Sequence, residues 1–148
     1  MDEAAYRAAQ SAANRAHCAF EKALVMRCVT CELASRHALA ERESVACTSP
    51  VARTNCATFL GLLRERAGFS LKLSRPEASI PHAIAMKLQC GGLAGLQQAL
   101  LAKEPDAHLL VVEAQRRWGS LLDLPWPEIV GTIAAWQGRR RSPSREKT

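Results

Sequence analysis

Apolar residues recur along this chain at helical spacing, and no stretch alternates convincingly as a strand would. Phe59, Leu60, Leu63 and Ala67 fall on one face of a 3.6-residue helix that includes Cys56 and runs to about Lys72. Ser49 reads as its N-cap and Pro50 as its first residue, after a stop at Thr48-Ser49-Pro50. A first helix is expected over about residues 2–16. A second, uninterrupted by Gly or Pro, is expected from Ala19 to Ala46, with Glu32 and Arg36 supporting it at i,i+4. Pro81 opens a fourth helix reaching about Ala102, broken in the middle by Gly91, Gly92 and Gly95. A fifth covers about residues 105–118 and stops at Gly119. A short sixth starts at Pro127 and ends before Gly138. Residues 74–79 form a polar connector. The expected fold class is an all-α single-domain bundle of five to six helices over residues 1–138, followed by a loose basic tail.

Composition supports that picture. Alanine, leucine and straight-chain charged residues dominate, and only seven aromatic residues appear (three Trp, three Phe, one Tyr). At 148 residues, 48% hydrophobic, the chain can bury a core without staples. No run approaches the length of a membrane span. The opening Met-Asp-Glu-Ala-Ala-Tyr-Arg has acids where a signal peptide has bases, which predicts a cytoplasmic protein. The net charge of +6 sits mostly at one end: residues 139–148 hold five basic residues against Glu146, a net +4, which leaves +2 for the rest. Such an end reads as a solvated, disordered tail that can meet nucleic acid only non-specifically.

Six cysteines change the picture: Cys18, Cys28, Cys31, Cys47, Cys56 and Cys90. A reducing cytosol disfavours a disulfide framework, so metal or cluster ligation competes with redox use and with simple packing. Cys28-Val29-Thr30-Cys31 is the strongest unit, because two thiolates three residues apart can share one ion. It lacks the βαβ context of a thioredoxin-like motif and the His of a c-type haem site. If residues 32–46 are helical, Cys47 lies roughly 24 Å from Cys31, out of reach. The expected site is therefore Cys18, Cys28, Cys31 and Cys90, with Cys47 and Cys56 as a second pair across Pro50. A break near residues 35–37 would let all six converge. Gly91 and Gly92, beside Cys90, read as a cofactor cradle where backbone amides approach a ligand, or else as tight helix packing. One C-x2-C pair without a second favours an iron–sulfur cluster over zinc.

His17, His37, His82 and His108 read as helix-end or surface residues. The sequence has no phosphate-binding glycine loop, no H-E-x-x-H and no nucleophile elbow, and whether it is an enzyme is left open. Two functions are expected to compete. One is a metal- or cluster-binding protein acting with a protein partner in electron transfer, sensing or cofactor delivery. The other is a helical adaptor or nucleic-acid-associated regulator with structural zinc or no metal.

Overall fold

The segment expected to be one long helix is a short helix, a loop and a β-hairpin. In the computed structural model, which describes residues 16–39, 42–73 and 80–138, helix α1 spans only Glu21–Val25. Strands β1 (Ala34–Leu39) and β2 (Arg42–Cys47) then pair antiparallel, Ala34 opposite Cys47 and Leu39 opposite Arg42. The all-α expectation is thereby corrected to a mainly helical fold with a two-stranded sheet. Helix-forming Ala, Leu, Glu and Arg fill residues 32–46, so intrinsic propensity points the wrong way. Tertiary contacts override it. Val45 is fully buried and its N–H donates to the Glu21 carboxylate of α1, at 2.8 Å. The preceding arm lies along β2, with Cys18 N–H donating to Val45 O and Cys47 N–H to Ala16 O. Arg36 pairs with Glu43 across the hairpin at 2.9 Å, rather than with Glu32 along a helix.

Elsewhere the helix starts at Pro50 and Pro81 and the stop at Gly119 fall as expected, whereas the helix expected to reach about Lys72 ends at Ala67. Helix α2 covers Pro50–Ala67, and its Ser49 cap accepts the Ala52 N–H. Helix α3 (His82–Met86) passes through a π turn (Lys87–Gly91) into α4 (Gly92–Leu100), which ends at Leu101 in left-handed geometry. Helix α5 covers Ala107–Trp118 and stops at Gly119, φ +83°. A 3-10 turn at Leu121–Asp123 leads to α6, Trp126–Ala135. The expected helix 2–16 (Ala16 apart), the connector 74–79 and the tail 139–148 lie outside the described residues. Phe20 of the α1 approach, Phe59 of α2 and Trp126 of α6 stack in a row at 6.0 Å centroid spacing, with Leu63, Leu93, Ile129 and Ile133 fully buried around them. Each such side chain contributes about 1.5–3 kcal/mol by leaving water. That core fixes α2, α4 and α6 behind the hairpin. Among the described residues, no helix is long and apolar enough to cross a membrane.

Candidate functional site

Four of the six cysteines line one small cavity. Cys18 comes from the arm before α1, Cys31 from the loop between α1 and β1, Cys47 from the end of β2, and Cys56 from the second turn of α2. The hairpin is what unites them. Its register returns the chain at Cys47 to the side of Ala34, three residues after Cys31, so the expected separation of Cys31 from Cys47 does not hold. The cavity has room for roughly one water, about 10 Å³, and its remaining walls include Ala19, Phe20, Leu24, Ala34, Ala52 and Ala107. Arg53 and His108 stand at its edge.

All four sulfurs feel one another. Burial chiefly pushes the Cys18 thiol up to about 11 and the Cys56 thiol up to about 12, and it raises Cys31 as well. Repulsion between thiolates adds to this for every pairing of Cys18, Cys31, Cys47 and Cys56. Backbone amides work in the opposite sense. The Phe20 N–H donates to the Cys18 sulfur, two residues on in the chain, and the Leu33 N–H stands in the same relation to Cys31. A second donor to Cys31 is the His108 N–H, in the first turn of α5, where the helix dipole also favours negative charge. The Cys47 thiol donates to Ser49 O at 3.2 Å.

The Cys31 loop is held to α5 by several bonds. Thr30 N–H donates to Pro105 O and Ala107 N–H to Thr30 O, both at 2.8 Å. The Asp106 side chain, itself buried, accepts from Glu32 N–H at 2.8 Å through one oxygen and caps α5 at Leu109 N–H through the other. Sequence reasoning missed these supports. Asp106 after Pro105 is an N-cap signal that could have been found; the amides that meet sulfur have no side-chain signature.

Cys28 and Cys90 are placed differently. They are bonded to each other as a disulfide between the loop after α1 and the π turn, and neither lines the four-cysteine cavity. The grouping of Cys18, Cys28, Cys31 and Cys90 is therefore corrected: Cys18 and Cys31 join Cys47 and Cys56, which are more than a second pair. Gly91 and Gly92 are buried among helices. A Cβ on Gly91 would sit 3.0 Å from the Ile133 Cα of α6, and one on Gly92 would sit 2.5 Å from a Leu63 methyl of α2. They serve helix packing, away from the thiol cavity. His17 bonds Glu21 at 3.1 Å and His82 bonds Lys22 at 3.2 Å. His37 is on exposed β1, within 3.2 Å of Ser35, and Glu32 lies 3.7 Å from His108.

The four thiols form a soft, apolar-walled donor set with amides aimed at two of its sulfurs. Such a set suits thiolate chemistry once a cation offsets the burial penalty. Among the described residues, no three His, Cys, Asp or Glu side chains stand in the arrangement of a metal-ion site as they are. Comparison with family models, with curated proteins and with solved structures finds no match for this chain.

Proposed function

We propose that the chain binds a thiolate-ligated metal cofactor at Cys18, Cys31, Cys47 and Cys56, and acts with a protein partner in electron transfer, sensing or cofactor delivery. The observation that carries this reading is the convergence of four sequence-distant cysteines on one cavity. Packing alone does not account for the choice of sulfur at all four positions, since alanine or valine would fill the same apolar walls. An iron–sulfur cluster and zinc are the two candidates for that cofactor. A single tetrahedral zinc draws its sulfurs to about 3.8 Å from one another, given Zn–S bonds of about 2.3 Å, and no such ion arrangement is preformed among the described residues. A cluster spreads its thiolates more widely and is larger than the present cavity, which has room for about one water, so holding it requires the four cysteine-bearing segments to move apart. A cytoplasmic location belongs to the same proposal.

Anaerobic purification, with reconstitution by iron and sulfide, tests the reading. Absorbance near ~400 nm with bound iron and sulfide supports a cluster. Zinc retained without colour assigns the same four ligands to a structural ion. Protein that takes up neither metal overturns the proposal.

A further inference from the structure

We propose that the Cys28–Cys90 bridge is a redox-active disulfide, reduced by a dithiol that enters the groove above it and attacks Cys28. The groove, about 220 Å³, is walled by Met26, Arg27, Met86 and Trp136, with both bridge cysteines in its lining. The two sulfurs are unequal. Cys28 is exposed, whereas Cys90 is only 2% accessible and is held in the π turn. Thiol–disulfide exchange requires access to one sulfur along the S–S axis, with the other leaving. Here the accessible sulfur is Cys28 and the leaving group is Cys90.

A helix end and a π turn flank the bridge, one on each side. Arg27, beside Cys28, holds the left-handed φ of +64° that ends α1, its N–H donating to Leu24 O and the Cys28 N–H to Ala23 O, both at 3.1 Å, so helix termination fixes the backbone that presents Cys28. Cys90 sits in a π turn, a rare insertion frequent at functional sites. Gln89, next to it, accepts the Ala23 N–H at 3.1 Å, so the π turn grips the 23–28 segment through two adjacent side chains. A purely structural staple needs neither the π turn nor an open groove. Arg27 lines the mouth while pairing with Glu43 of β2 at 3.8 Å.

The chemistry balances with a dithiol as the only co-reactant. One thiolate of the dithiol attacks Cys28 Sγ; a mixed disulfide forms, and the Cys28–Cys90 bond breaks with Cys90 leaving as thiolate. The second thiol of the dithiol then attacks its own sulfur in the mixed disulfide and releases Cys28. Two electrons pass to the protein, the dithiol becomes a disulfide, and its two protons end on Cys28 and Cys90. The Ala23 carbonyl lies 3.5 Å from Cys28 Sγ, ready to accept the new S–H.

The full chain is incubated anaerobically with reduced dithiothreitol, quenched by alkylation and mapped by peptide mass. The expected result is that Cys28 and Cys90 become alkylated at a rate rising about tenfold with tenfold dithiothreitol, while tryptophan fluorescence stays native. A rate that is independent of dithiothreitol and equal to the unfolding rate would overturn the proposal, since the bridge would then open only on unfolding. Glutathione, a monothiol, supplies the second measurement on the unmodified protein. Its trapped adduct is expected on Cys28, and an adduct found on Cys90 contradicts the assigned direction of attack.

Discussion

Ala34 stands opposite Cys47 in the hairpin register, and that pairing sets Cys47 beside the loop that carries Cys31. Cys18 and Cys56 reach the same cavity from the arm along β2 and from the helix that follows it. The thiol site is thus a property of the hairpin.

It follows that Cys18→Ser, Cys31→Ser, Cys47→Ser and Cys56→Ser should each remove most of the bound metal, whereas Cys28→Ser and Cys90→Ser should leave it in place. Elemental analysis of the reconstituted proteins measures this. Retention of full metal by Cys47→Ser would detach β2 from the site and return the question to Cys28.

The legible parts of the fold were those governed by local backbone chemistry. Ser49-Pro50, Pro81 and Gly119 mark ends where a missing N–H, a hydroxyl acceptor or a left-handed φ dictates the outcome. The hairpin was illegible because its residues favour helix, and only the fit of Val45 and Ser44 against the body of the protein makes it a strand. The error passed into the site. Six cysteines signal thiol chemistry, but a grouping built on helical rise fails because residues 34–47 form a hairpin; the alternative of a break near residues 35–37 is the one that brings Cys47 to Cys31, though Cys28 and Cys90 stay apart. Gly91 and Gly92 mark close approach, and of their two readings, a cofactor cradle or tight helix packing, the neighbours Ile133 and Leu63 are those of packing.

Gly92→Ala should destabilise the metal-free protein by about 1–3 kcal/mol, because its methyl meets Leu63 at 2.5 Å in a filled core. Gly91→Ala should act in the same direction against the α6 backbone. Gly61→Ala and Gly131→Ala, also within helices but with open space at Cβ, should instead stabilise by about 0.5–1 kcal/mol. Urea denaturation of the four variants separates the pairs, and destabilisation by all four alike would count against the packing account.

Stability of the metal-free protein should fall as the solution becomes alkaline. Burial holds Cys18 near about 11 and Cys56 near about 12 against an ordinary 9.0. Above pH 9.0 the unfolded chain therefore releases thiol protons that the folded chain keeps, and unfolding is favoured. The contribution is intact below that value and disappears as pH rises through the folded values. The Cys18→Ser, Cys56→Ser double variant should show a shallower alkaline decline in its urea midpoint, and metal-loaded protein should show little decline from these thiols. Identical slopes for wild type and double variant would remove the burial explanation.

Asp106 joins the Cys31 loop to α5, and its replacement should loosen both. Asp106→Ala deletes the N-cap to Leu109, a loss of about 1 kcal/mol, and leaves the Glu32 N–H without its 2.8 Å acceptor, about 1 kcal/mol more. For a chain of this size the sum corresponds to a Tm lower by roughly 5–8 °C. Asp106→Asn keeps an oxygen for Leu109 but turns an amide N–H toward Glu32, so about half the loss is expected. Because Glu32 follows Cys31, and the His108 N–H that meets the Cys31 sulfur lies in the same first turn, both variants should also release metal faster to a chelator. Ser120→Ala provides the control: it removes the cap at Leu122, outside the cavity lining, and should cost stability without changing the release rate. If Ser120→Ala accelerates release as much as Asp106→Ala at matched stability, the effect is global loosening and Asp106 has no specific hold on the thiol site.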